Sequence, residues 1–392
     1  MGHPFRHSRT DDGGWRPAAA MAVVVILAVH ALWTLMPPLD GAAAHWAANV
    51  FIDTSVAVAL VFVGMAALRY RGSRLGLAWS LLAIGLAFNV FAEVSYSAQD
   101  LTLGDDAPFP SVSDVGYVAA YGPTLLGLLL MPQAPASRAS RVKLALDALI
   151  VTGALAVLSW FLIVDKVLSS SGQPFEAKAV SVFYPFADLA IIFAAFVLVA
   201  RAGRRFALAF VLLAAGYAAT AFSDSVYAYF TEAGYSTGSY ADIGWVAGYT
   251  LMSLAALTAL DPMAALESPS RQGEAAPAFW PSLVPYVAML PLAVLLPGGI
   301  AGHRVDSALT IGFLAVASLI VLRQMLASYE NVLLNRELRY LNAGLESRVR
   351  EKTIQLLRRR PCEDGSEDGD AAGGRPSGAD EQVGGLRPFQ RQ

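Results

Sequence analysis

Ten apolar runs, each near twenty residues, leave this chain few ways to fold. They cover 17–36, 47–68, 75–93, 113–131, 144–164, 180–200, 206–228, 241–260, 281–297 and 306–327. A helix rises about 1.5 Å per residue, so about 20 residues cross the ~30 Å hydrocarbon layer of a bilayer. Inside that layer every backbone amide needs a partner from the chain itself, which leaves only helices and closed barrels. The alternating pattern of barrel strands does not appear. The expectation is an all-α polytopic membrane protein with about ten transmembrane helices. Composition agrees, because only 15% of the residues are charged where a soluble domain carries roughly 25%. Mean hydropathy is +0.50. An ordinary soluble enzyme is excluded. The net charge of −3 and the scattered cations argue against nucleic acid as a partner. The single cysteine, Cys362, excludes an intrachain disulfide framework and a cysteine zinc cluster.

Residues 1–16 form a polar N-terminus. The run 17–36 is long for a signal-peptide core and no small-residue cleavage site follows it, so it reads as a retained helix. The loops then fix an orientation. Numbered alternately from a cytoplasmic N-terminus, the inside loops carry ten cations, among them Arg71, Arg141 and Arg204, against three outside: Lys166, Lys178 and Arg304. That satisfies the positive-inside rule and predicts a protein of the cytoplasmic membrane, with both termini cytoplasmic and the lipid bilayer as its first partner.

The chain also repeats itself. Ser113–Tyr121 reads SDVGYVAAY and Ala241–Tyr249 reads ADIGWVAGY. Upstream, Glu93 and Tyr96 match Asp224 and Tyr227, and Asp53 matches Asp188. The offsets of 128, 131 and 135 residues differ only by loop length. This predicts a parallel duplication of four helices, 17–131 onto 144–260. The remaining divisions are a helix pair over 281–327, a cytoplasmic coiled-coil linker over 328–357 and a disordered tail over 358–392.

The repeated acids are the candidate ligand-binding residues. Asp53, Glu93, Asp114, Asp188, Asp224 and Asp242 all fall toward the outer ends of their helices on this topology. Tyr96, Tyr117, Tyr121, Tyr184, Tyr227, Trp245 and Tyr249 accompany them. Acids within membrane helices are costly and usually face the bundle interior or water. An outward-facing pocket for a cation, an amine or a polar organic ligand is one reading. The other is structural: Asp114 and Asp242 start helices, where carboxylates cap amides, and Tyr and Trp populate interfacial belts. Asp147, four residues after Lys143, reads as an i,i+4 pair or a helix-start residue. No HExxH, GxSxG or P-loop lysine motif occurs, and His30 and His45 lack metal-ligand spacing. The chain therefore reads as a non-enzyme with no metal and no cofactor.

Beyond the last run the helical pattern continues. Leu334, Leu338, Leu341 and Leu345 follow 4-3-4 spacing, the seam of a coiled coil, with charged residues around it. Val349 comes four residues after Leu345 rather than three, which inserts a stutter. A homodimer through this helix is the expectation, and a helix lying on the bilayer surface is the alternative. From Pro361 the acidic, glycine-rich composition reads as disordered.

The segments PFPSVSDVGYVAAYGPTLLGLLLMP (108–132), FYPFADLAII (183–192) and FSDSVYAYFTEAGYSTGSYADIGWVAGYTLMSLAAL (222–257) resemble the multi-helix membrane sensor regions of bacterial diguanylate cyclases and sensor histidine kinases. LRYLNAGLESRVREKTIQL (338–356) resembles the linker helix that joins such sensors to their output domains. The resemblance covers about residues 17–357 and implies a sensory module that signals to a cytoplasmic partner. It departs from the family after the linker. No GGDEF string follows, and all five histidines precede residue 304. The expectation is a sensor lacking its output domain, truncated or frameshifted. A small-molecule transporter is the second reading, and a degraded signalling enzyme the third.

Overall fold

The computed structural model describes residues 15–36, 42–103, 108–133, 137–202, 206–230, 238–261 and 307–358. Among the described residues every regular element is helical. They are α1 (Trp15–Leu35), α2 (Ala42–Arg69), α3 (Arg74–Leu103), α4 (Val112–Leu130), α5 (Arg138–Ser159), α6 (Asp165–Ser169), α7 (Phe175–Ala200), α8 (Ala207–Phe230), α9 (Asp242–Ala259) and α10 (Ser307–Arg358). A π-helical turn, Trp160–Val164, joins α5 to α6 without a break.

Seven helical stretches are long and apolar enough to cross a membrane: Trp15–Leu35, Ala43–Arg69, Arg74–Leu103, Ser140–Ser169, Phe175–Ala200, Ala207–Phe230 and Leu309–Gln355. They mark a multi-pass membrane protein. Two more of the ten apolar runs form α4 and α9, of 19 and 18 residues, but fall outside that set. Each dilutes its leucines and alanines with an acid, glycines and tyrosines. The run 281–297 lies outside the described residues, as do the polar N-terminus up to residue 14 and the tail from residue 359.

Several helices outlast their apolar runs. Hydropathy falls after residue 93, yet α3 continues to Leu103; α2 starts at Ala42 and α7 at Phe175, each five residues before its run. Consequently Asp53 and Asp188 sit near the middle of α2 and α7, and not toward an outer end as their place in the runs implied. Glu93 lies ten residues inside the end of α3, or about 15 Å along its axis.

The chain divides into two compact units, Met1–Ser328 and Tyr329–Gln392. In the first, α3 packs on α4 and α8 on α9. Helix α2 lies against α3 and α9, and α7 against α8, α5 and α4; α1 covers α9 and α2. Lipid tails are as apolar as leucine, so membrane helices associate through close packing, and small residues permit it. Ala59, Ala66, Ala78, Ala255 and Ala256 are fully buried beside Trp79, Leu82, Phe210 and Leu213. The outer surface is apolar too, with Val61, Val115, Leu208 and Phe222 all more than half exposed. An apolar surface of that extent suits lipid and not water.

Two crossings use glycine at close approach. A Cβ on Gly116 of α4 would stand 2.8 Å from the Ala92 Cβ and 3.0 Å from the Phe88 carbonyl of α3. A Cβ on Gly216 of α8 would stand 2.9 Å from the Gly248 carbonyl of α9.

At one end of the bundle, arginines meet helix C-termini. Arg16 donates to the Leu260 carbonyl at 3.1 Å and pairs with Asp261 at 3.4 Å, and Arg74 donates to the Leu130 carbonyl at 3.0 Å. Arg201, at the end of α7, donates to Gln133 beyond α4. Cations there complement the negative ends of the helix dipoles.

Helix α10 packs on α5 through Val316, which meets Ile150 and Ala154. Asp147 does not merely serve its own helix: its carboxylate forms an ion pair with Arg323 of α10 at 2.8 Å, and both side chains are largely buried. In the second unit the described residues continue α10, and all four seam leucines, Leu334, Leu338, Leu341 and Leu345, are more than half exposed.

Candidate functional site

The repeated acids and aromatics are brought together, mostly as carboxylate–phenol pairs. Glu93 is the hub. Its two oxygens accept hydrogen bonds from different helices, Oε2 from Tyr117 of α4 at 2.9 Å and Oε1 from Tyr249 of α9 at 3.0 Å. Only 7% of Glu93 is exposed. Across the bundle Tyr121 of α4 donates to Asp188 of α7 at 2.7 Å, and Tyr184 of α7 donates back to Asp114 of α4 at 2.7 Å. Trp245 of α9 donates through its indole nitrogen to Asp224 of α8 at 2.8 Å. Ser97 of α3 donates to Asp53 of α2 at 3.2 Å.

The pairs are close enough to form one field. Glu93 lies within electrostatic reach of Asp53 and Asp224, and Asp224 within reach of Asp188. Tyr96 neighbours Tyr117, and the Tyr227 ring lies tilted over Trp245 with centroids 6.0 Å apart. Thus Glu93 and Asp188 are buried with Asp53 and Asp224 half-buried beside them, and none of the four forms an ion pair among the described residues. Burying carboxyl groups without cations is costly unless hydrogen bonds compensate. The phenols and the indole supply that compensation. It is incomplete at Asp188, whose second oxygen is buried and has no hydrogen-bond partner.

Asp114 does serve as a cap, whereas Asp242 ties down the turn before its helix. Ser111 and Asp114 form a capping box at the start of α4, with the Ser111 amide donating to Asp114 at 2.7 Å. Asp242 accepts from the Gly238 amide at 2.6 Å and so closes the turn into α9. Asp114 also belongs to the network through Tyr184, so cap and site coincide there.

Three features escaped the sequence reading. Asn49 donates to Asp100 at 2.7 Å, with His45 at 3.9 Å from the same carboxylate. Ser97 completes Asp53. His30 is fully buried against Phe51, within reach of the Asp242 backbone. Only Ser97 could have been found, as a small polar residue one turn from Glu93. Among the described residues no group of three or more His, Cys, Asp or Glu is arranged to hold a metal ion.

Chemically, this is a set of acceptors held by exchangeable donors. A phenol that swings away exposes a carboxylate, and an incoming cation or polar molecule can take the vacated position. Three of the bonds join the segment 17–131 to the segment 144–260: Tyr121–Asp188, Tyr184–Asp114 and Tyr249–Glu93. Comparison of the chain with family models, with curated proteins and with solved structures finds no match.

Proposed function

We propose that this chain is a membrane-embedded sensory module of the bacterial cytoplasmic membrane. It detects a signal at the network of carboxylates and phenols and relays it through α10 to a cytoplasmic signalling partner, without catalysis of its own. The observation that carries this reading is the composition of α10. One unbroken helix, Ser307–Arg358, begins as an apolar membrane-length segment and ends as a charged leucine heptad. Such a helix can convey a shift in bundle packing to whatever follows it.

The reading uses ten spans and two four-helix halves related as a parallel repeat. Glycine packing supports the repeat. Gly116 of α4 faces Phe88 and Ala92 of α3; Gly244 of α9, 128 residues on, faces Ala219 and Ser223 of α8, each 131 residues on. Gly85 faces Ala120 and Thr124, and Gly216 faces Gly248 and Met252, at the same two offsets. Contacts follow suit, since α4 on α7 corresponds to α9 on α2. The arginine-rich end of the bundle is the cytoplasmic one by the positive-inside rule. The network then joins the two halves, and a cation, amine or polar organic ligand that breaks its bonds lets the halves repack. Such a ligand acts only by binding one packing better than the other.

A small-molecule transporter is the second reading. It is favoured by the mid-helix positions of Asp53 and Asp188 between the halves, because transporters place sites at repeat interfaces near the bilayer midplane. Crosslinking separates the two. Single cysteines across 334–349, in a Cys362→Ser background, should crosslink in membranes with a repeat near 3.5 residues. Glu93→Gln should alter their relative yields. A flat profile, or one unchanged by Glu93→Gln in stably inserted protein, would remove the sensor reading and leave the transporter.

A further inference from the structure

The membrane part of α10 buries one face against α5. Val316 is 2% exposed and sits against Gly153, Gly312 sits against Val157, and Arg323 pairs with Asp147. The opposite side carries Ile311, Leu314, Val321 and Met325, all more than half exposed. An α-helix turns about 100° per residue. Counted at that angle along the sequence, the centre of the α5-facing residues and the centre of the leucine seam at 334–345 fall within about 30° of each other. In heptads, the seam traced backward from Leu334 meets Ala327, Ile320 and Phe313, and the last two pack beside the Ile150–Val316 contact. The Leu334–Leu341 line of the seam, followed back along the sequence, therefore runs into residues that pack on α5, while the Leu338–Leu345 line runs back through the exposed Asn331 and Gln324.

We propose that α5 and the α10 helix of a second copy compete for this one face, with the Asp147–Arg323 pair as the lock. This inference rests on the dimeric sensor reading above and supplies its switch. While α5 holds the face, the coiled coil can form only beyond the lock. When α5 lets go, the coil can zip upward through Ala327 and Ile320, which rotates and draws together the cytoplasmic helices. The occupant is a second copy because the continuous register demands a helix with the same heptad phase. Asn331 strengthens that assignment. It falls at an a-type position of this register, between Leu334 and Ala327, where a buried asparagine favours parallel two-stranded pairing.

The test is disulfide crosslinking in native membranes, in a Cys362→Ser background. Leu341→Cys reports the coil itself, Ile320→Cys the contested face and Leu314→Cys the lipid face. In the otherwise unchanged protein, Leu341→Cys should crosslink well, and Ile320→Cys and Leu314→Cys poorly. Asp147→Asn should raise the Ile320→Cys yield several-fold relative to Leu341→Cys. The double exchange Asp147→Arg with Arg323→Asp should return it to the starting level. Gly153→Leu, which pushes on Val316 and leaves the charges alone, should act like Asp147→Asn and covers the case in which that variant fails to accumulate. No Leu341→Cys crosslink would overturn the dimer reading itself. With that crosslink present, three results would overturn the competition alone: strong Ile320→Cys crosslinking from the start, no response to either lock variant, or a response at Leu314→Cys instead.

Discussion

The most exposed weakness of the network is a single atom pair. Glu93 holds two phenol bonds, whereas Asp188 holds one, from Tyr121, with its other oxygen buried and bare. A hydrogen bond to a charged or strongly polar partner is worth about 1.5–3 kcal/mol, and a buried acceptor left alone costs its full desolvation. Tyr121→Phe should therefore destabilise the folded protein by about 2 kcal/mol. Tyr117→Phe should cost clearly less, because Tyr249 still serves Glu93. Thermal unfolding of the purified variants in one detergent would measure this, and equal losses would contradict the hub arrangement. At this scale the sequence was informative about who takes part but not about who pairs. Matched positions in the duplication marked Glu93, Asp188, Tyr121 and Tyr249. Their bonds cross between halves, and no spacing along the chain encodes that. Asp147 makes the same point: Lys143 stands one turn away, yet the ion pair lies with Arg323, far along the chain.

At the scale of the helix, hydropathy located nine of the described elements and set the ends of α1, α4, α8 and α9 to within two residues, but misjudged an end of α2, α3, α5 and α7. It registers the hydrocarbon-facing stretch and is blind to the polar turns that continue the helix, so the carboxylates came out nearer the middle of α2, α3 and α7 than their runs implied. It also gave α4 and α9 the same weight as the more apolar helices. What holds α4 and α9 in place is the close approach at glycine. An alanine at Gly116 would press on Ala92 of α3, while Gly122, on the same helix, has open space where a Cβ would stand. Overpacking a tight site costs typically 1–3 kcal/mol. Gly116→Ala should lower stability by about that amount, and Gly122→Ala should be neutral or slightly stabilising, since alanine is the better helix former. Unfolding in detergent should separate the two variants, and similar behaviour would contradict the crossing described for α3 and α4.

At the scale of the whole molecule, two halves, a polar network between them and one helix leading out make up the proposed device. The bilayer removes the hydrophobic drive between helices, so the halves are held by small-residue packing and by a few buried bonds. That balance is a suitable basis for a two-state element, because loss of one or two bonds can tip it. The proposed duplication and leucine seam are both legible in the sequence, since both are periodic patterns. The sequence could not disclose that α5 packs beside Phe313, Val316 and Ile320, because that requires knowing which helix lies against α10. The central claim is that a change at the network reaches the far part of α10. The most direct measurement places a spin label at Tyr340→Cys, which is 82% exposed, in Cys362→Ser protein reconstituted in lipid nanodiscs. The distance between labels of the two copies is then compared between this parent and the same protein carrying Glu93→Gln. The distance distribution should shift or change its balance of populations in the Glu93→Gln protein. An identical distribution in a folded, dimeric Glu93→Gln protein would contradict the claim.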